Sequence, residues 1–257
     1  MSNFELFELD PIDCEAYQTK EVLKILLHSI IFQRALAACR LCDAESDLFD
    51  VSYVRCDSRA ICQRVEEYAE AFSTALERSA AAPLAAAPAT GATGAALPTA
   101  GAALPSGVPP SLPARIALSF IERRSRPSTF GIFGRFAGEE KVTWERWHIV
   151  LMVKPPEPPS SELASVGGST FGSLAPAGGA EAARTRQQQQ QALGEELRGR
   201  LEMILTTAAS RKEHIPPVDG LGGDSTSWFE VTSDSESWGG LGDLFKQWSG
   251  RGSLKPF

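Results

Sequence analysis

Residues 79–113 read SAAAPLAAAPATGATGAALPTAGAALPSGVPPSLP, and no domain core can be built from them. Of these 35 residues, 24 are Ala, Gly or Pro, and none is charged. Proline breaks the helix that the alanines favour, and side chains this small bury too little apolar surface to offset the entropy of ordering. A second stretch, 155–191, opens on Pro155-Pro156-Glu157-Pro158-Pro159 and ends in five glutamines, Gln187 to Gln191. It reads as a linker whose last residues merge into a helix. Both stretches are expected to be disordered inserts. They leave three blocks, 1–78, 114–154 and 192–257, about 185 residues together, the size of one domain. The middle block is too short to stand alone. The expectation is therefore a single domain over 1–257 with two low-complexity loops.

Periodicity assigns elements to the blocks. Phe4 to Leu9 is extended. Asp13 is placed to cap a long helix running to about Leu41, with Val22, Leu23, Leu26, Leu27, Ile30 and Ile31 covering a broad apolar face. Phe49 to Tyr53 alternates as a strand does, and Asp57 or Ser58 caps a second helix striped by Ile61, Val65, Tyr68, Phe72 and Leu76. In the middle block Ile116, Leu118 and Phe120 face one way, and Trp147, Ile149, Leu151 and Val153 make the return strand. Between them runs a tip from Glu122 to Thr143, far longer than the usual hairpin loop of about 2–5 residues. The last block starts with a helix through Leu193, Leu197, Leu201, Ile204 and Ala208, stopped by Pro216-Pro217. Trp228 to Val231 is a short strand, and Trp238, Leu241, Phe245 and Trp248 share the face of a final helix. The order βαβα, β-hairpin, α, β, α predicts an α+β fold with a mostly antiparallel sheet packed on helices.

Composition narrows the function. With 25 Lys+Arg against 32 Asp+Glu, the net charge is -7. A nucleic-acid binder needs the opposite surplus, so no nucleic-acid partner is expected. No apolar run reaches the ~18–20 residues of a membrane-spanning helix. The N-terminus has neither a basic nor an apolar signal region, and five cysteines are an odd number, so reduced thiols in the cytoplasm are expected.

Catalytic signals are scarce. There is no G-x-S-x-G, no P-loop, no H-E-x-x-H and no G-x-G-x-x-G. His28, His148 and His214 fall in three separate elements and read as structural histidines. Cys39-Arg40-Leu41-Cys42 is a C-x-x-C, but a zinc site needs four ligands and a redox pair favours a helix N-terminus; this pair is expected near a helix C-terminus. Cys56 or Cys62 with a histidine is the remaining enzymatic reading. The chain is expected to be no enzyme, with no cofactor, no metal and no catalytic residue.

The hairpin tip is the unusual segment. Phe130, Ile132, Phe133 and Phe136 sit among glycines and arginines, with no alternation to define a buried face. Such a loop either displays a contact site or folds back so that Phe130 or Phe136 plugs the core. Arg123, Arg124, Arg126 and Arg135 beside these rings also suit peripheral contact with an acidic membrane.

Several segments resemble the autophagy-related protein 101 family. They are Leu26 to Arg34, Phe49 to Arg55, Trp144-Glu145-Arg146-Trp147 and His214-Ile215-Pro216-Pro217, in that order and spacing. The Ser237-Trp238-Gly239 tail, with Leu244 to Trp248, is more similar to fungal members than to animal ones. The resemblance implies a single HORMA domain without catalytic activity. It implies pairing with the HORMA domain of autophagy-related protein 13, which it stabilises within the autophagy-initiation kinase complex. It implies work in the cytoplasm and at the phagophore assembly site. The family also carries a Trp-Phe finger that recruits downstream autophagy factors. Here Ile132-Phe133-Gly134 matches it, with Ile132 where Trp is expected and Phe130 or Phe136 available as a second aromatic. The alternative is a HORMA-type peptide-binding adaptor of checkpoint or chromosome function; the short, Gly-rich region after Val231 disfavours it.

Overall fold

The structure is a computed structural model that describes residues 4–35, 39–81, 112–125, 139–154, 178–216 and 228–233. Its strands are β1 Glu5–Glu8, β2 Ile12–Glu15, β3 Leu41–Glu45, β4 Ser52–Cys56, β5 Leu112–Ser125, β6 Glu139–Lys154 and β7 Phe229–Ser233. Its helices are α1 Thr19–Gln33, α2 Arg59–Ala81 and α3 Gly178–Ser210. The architecture is α+β.

Strands β5 and β6 form the spine of a five-stranded sheet. They pair antiparallel from Leu112↔Val153 to Ser125↔Glu139. Strand β7 adds antiparallel to β5, whereas β1 and β2 lie end to end along the far edge of β6 and run parallel to it. The Leu9 N–H donates to the His148 carbonyl at 2.9 Å, which holds the junction of β1 and β2 on that edge. The antiparallel spine follows the expected pattern; the parallel edge is an addition to it. Strands β3 and β4 form a separate antiparallel hairpin.

Helix α1 is the centre of the molecule, packed on α2, α3 and β4. Val22, Leu23, Ile25, Leu26, Leu27, Ile30 and Ile31 are all at 0% exposure, because the apolar positions cover most of the helix circumference. Each such side chain contributes about 1.5–3 kcal/mol by leaving water. The stripe Ile61, Val65, Tyr68, Phe72 and Leu76 of α2 is buried as its spacing predicts. The Ser58 carbonyl accepts the Cys62 N–H at 2.9 Å, so Ser58 occupies the cap position.

Four boundaries differ from the sequence expectation, each for a physical reason. Asp13 caps nothing: Ile12 and Cys14 alternate into the core, and their backbone joins the ladder of β6. The chain turns at Glu15 and Gln18 instead, where the Glu15 N–H donates to Gln18 Oε1 at 2.9 Å and a reciprocal capping box closes. Helix α1 stops at Gln33, not Leu41, because Arg34 leaves the helix to bond in the core; Leu41 opens β3. The strand expected at 49–53 lies at Ser52–Cys56. Helix α3 begins at Gly178, so the end of the stretch 155–191, including the glutamine run, is helical. Residues 82–111 and 155–177 of the two inserts, and the final helix expected around Trp238 to Trp248, lie outside the described residues.

Candidate functional site

The β5–β6 hairpin outreaches its neighbours. Strand β7 pairs with Ile116 to Phe120 of β5, and β1 pairs with Glu145 to His148 of β6. Beyond those registers, Ile121 to Ser125 and Glu139 to Thr143 pair with one another. Exposure rises along this arm: Ile121 is buried, Glu122 half-buried, and Arg123, Arg124, Glu140 and Lys141 are exposed. The arm carries the segment 126–138. The ladder therefore absorbs part of the expected 122–143 tip. Phe130, Ile132, Phe133 and Phe136 all lie outside the described residues.

What the structure does define is how the arm is anchored. The ladder slips between Phe120 and Ile121: Phe120 faces Glu145, and Ile121 faces Thr143. Trp144 is the extra residue of this β-bulge. A bulge breaks strict alternation, so the consecutive Trp144 and Glu145 both turn inward, at 7% and 0% exposure. Trp144 packs on Phe120 with centroids 5.4 Å apart, and Phe120 stacks on Trp228 at 5.7 Å. On the other side Trp147 packs on Phe7 at 4.6 Å.

Glu145 is the polar centre of this base. Arg34 Nε donates to both its oxygens at 2.8 Å. The Trp147 indole N–H donates to Oε1, and His214 Nε2 bonds Oε2. Arg34 also donates from Nη1 to the Ala208 carbonyl at 2.9 Å and from Nη2 to the Arg211 carbonyl at 3.1 Å. It thus satisfies orphan acceptors at the C-terminal end of α3. One buried network joins the end of α1, the start of the arm and the end of α3. The sequence showed Arg34 and Glu145 only as parts of family-like segments. The available signal was a carboxylate set between two tryptophans, Trp144 and Trp147.

The described histidines and cysteines lie in separate surroundings. His28 is buried in α1, stacked on Tyr53 at 6.1 Å. Burial, then the Arg55 and Lys24 cations, lower its pKa to about 4, so it is neutral. His28 lines a polar cleft of about 780 Å³ between α1, α2 and the β3–β4 hairpin, with Arg55, Cys62 and Glu66. His148 lies 3.2 Å from Glu8, and His214 on Glu145. The C-x-x-C pair is not at a helix end: Cys39 precedes β3 and Cys42 lies in it. Among the described residues no group of three or more His, Cys, Asp or Glu is placed to hold a metal ion. Among them, too, no helix is long and apolar enough to cross a membrane.

Comparison with known proteins agrees with the resemblance read from the sequence. A family model described as autophagy-related protein 101 matches residues 11–220. The chain is similar to autophagy-related protein 101 of Arabidopsis thaliana, at 28% identity over 249 residues, covering 95% of this chain and 94% of that protein. The matched span contains all four segments that carried the resemblance, the arm and its buried anchor.

Proposed function

This chain belongs to the autophagy-related protein 101 family, and we propose on that premise that it is a non-catalytic subunit of the autophagy-initiation kinase complex. Its α+β fold is read as one HORMA domain. It pairs with and stabilises the HORMA domain of autophagy-related protein 13. The loop 126–138 recruits downstream factors, with Phe133 as the anchor and Phe130, Ile132 or Phe136 as the second apolar group. It acts in the cytoplasm and at the phagophore assembly site, touching the membrane at most peripherally.

The observation that carries this reading is the arm. Its ladder continues to Ser125↔Glu139, past the strands on either side, and exposes charged residues along its length. A hairpin that leaves its sheet gives up burial on both faces, which is a cost without a binding role. Its root is fixed by Trp144, Glu145 and Trp147, so the loop is presented from a rigid base.

Affinity purification with mass spectrometry tests the assignment. Recovery of a partner HORMA protein together with a protein kinase supports it; a pull-down without either contradicts it. Saturating partner should also raise the melting temperature, since a ligand that binds only the folded state adds about 2.7 kcal/mol at a hundredfold excess over its Kd.

A further inference from the structure

The hairpin β3–β4 is separate from the main sheet, and the cleft of about 780 Å³ lies between it and helices α1 and α2. Pockets of about 300–1,000 Å³ enclose ligands larger than a single ion. Register fixes the inner wall. Tyr53 and Arg55 stand two apart on β4, so both project from one face, and their ladder partners are Ala44 and Cys42. Tyr53 stacks on His28, which sets this face against α1.

The floor of the cleft is short of hydrogen-bond partners. His28 is 3% exposed, and its Nδ1 is enclosed with no partner. Arg55 Nε is enclosed with none either, and its Nη1 has the Cys62 sulfur, a weak acceptor, at 3.7 Å. Enclosed polar nitrogens without partners are rare in folded proteins, so two on one cleft point to a missing group.

The charges on the cleft divide by position. Lys24 is taken: its Nζ lies 3.1 Å from Glu21 and 3.5 Å from Glu66. Arg55, and Arg59 at the start of α2, form no ion pair among the described residues. Nor do Asp43, Glu45 and Asp47, which are exposed on β3 and just beyond it. Because β4 packs on α1, β3 is the outer strand and these three acids form a rim. Cations and carboxylates therefore line the same cleft without pairing to one another.

We propose that this cleft binds a zwitterionic peptide segment, its carboxylate held by Arg55 and Arg59 and its cationic group by Asp43, Glu45 and Asp47. A carboxylate along the Nε edge of Arg55 supplies the missing acceptor in the side-on, two-bond geometry that a guanidinium favours. His28 is neutral, because burial above all lowers its pKa to about 4, so it offers the ligand a hydrogen bond and no charge. A ligand of one sign leaves the other set unmatched: an anion meets the acidic rim, and a cation meets the arginines. The proposal rests on the cleft alone and is independent of the family premise.

The test uses the whole chain and two capped tripeptides, lysyl-glycyl-glutamyl and glutamyl-glycyl-lysyl, titrated while the histidine ring resonances are followed by NMR. The chain has three histidines, and His28→Gln assigns the one in the cleft. The expected result is a saturable shift of the His28 ring with at least one of the two peptides, with the rings of His148 and His214 unmoved. Peptides with glutamine in place of the lysine or of the glutamate should bind more weakly. Arg55→Gln, which removes the guanidinium that anchors the carboxylate, should weaken binding about tenfold or more. Asp43→Asn/Glu45→Gln should weaken it too, whereas Arg115→Gln on β5, outside the cleft, should not. Melting curves check that each variant is folded; if Arg55→Gln is not, the single-charge peptides decide the question on the wild type. No His28 shift with either peptide, single-charge peptides that bind as tightly, or a folded Arg55→Gln that binds like the wild type would overturn the proposal.

Discussion

Arg34 and Glu145, 111 residues apart in sequence, meet as an enclosed ion pair with side-chain exposures of 1% and 0%. Taking two charges out of water is costly, and the pair persists because its remaining valences are filled. The guanidinium bonds two carbonyls at the end of α3, and the carboxylate accepts from Trp147 and meets His214. The pair fixes where α1 ends and how the hairpin arm is rooted.

Removing either partner strands the other charge in the core. Arg34→Ala and Glu145→Ala should each cost about 3–5 kcal/mol in denaturant unfolding, while the apolar double replacement Arg34→Met/Glu145→Leu should cost less than either. A double mutant as unstable as the two single losses added together would show that the residues act independently.

His28 sets an acid limit on stability. Its folded pKa, about 4, lies below the unfolded value of 6.5, mainly because burial disfavours the charged ring. Between these values the unfolded chain binds more protons than the folded one, so stability falls as pH drops from about 6.5 to about 4. The total loss from this group is on the order of 3 kcal/mol. Arg55 and Lys24 work in the same direction and Glu66 against it. His28→Gln cannot take up a proton, so unfolding curves at pH 4.5 and 7.0 should differ less for this variant than for the wild type. An unchanged difference would place the acid sensitivity elsewhere.

The composition of residues 82–111 gives them little to contribute to folding. Replacing 83–110 with a short Gly/Ser linker should move the melting temperature by only a few degrees, because loop-closure entropy changes slowly with length. Loss of soluble expression would mean that this segment belongs to the core.

Much of this architecture was legible in the residues because burial enforces periodicity. The stripe from Ile61 to Leu76 and the alternation from Trp147 to Val153 are buried as their spacing predicts. What the sequence hid was set by contacts distant in the chain. Asp13 looks like a cap, but Ile12 and Cys14 are drawn into the ladder of a strand some 140 residues later. Arg34 looks like one more helical position, yet its partner on β6 ends the helix there. Trp144 and Glu145 cannot both face inward in a regular strand; the bulge that allows it leaves no mark in local propensity. The aromatic rings of the tip stood out by composition, and the geometry that bears on them is that of the arm beneath.

Whether the arm presents a recruiting loop is tested most directly by the double substitution Phe133→Ala/Phe136→Ala in the full chain. Melting temperature, pairing with the partner HORMA domain and autophagosome formation should be read from the same variant. A near-native melting temperature, intact pairing and impaired autophagosome formation are expected, since aromatic anchors that act in binding carry about 2 kcal/mol or more, roughly a thirtyfold change in affinity. A loss of about 3–5 kcal/mol in stability would contradict it, because that is the cost of truncating a buried phenylalanine, and the rings would then be plugs of the core.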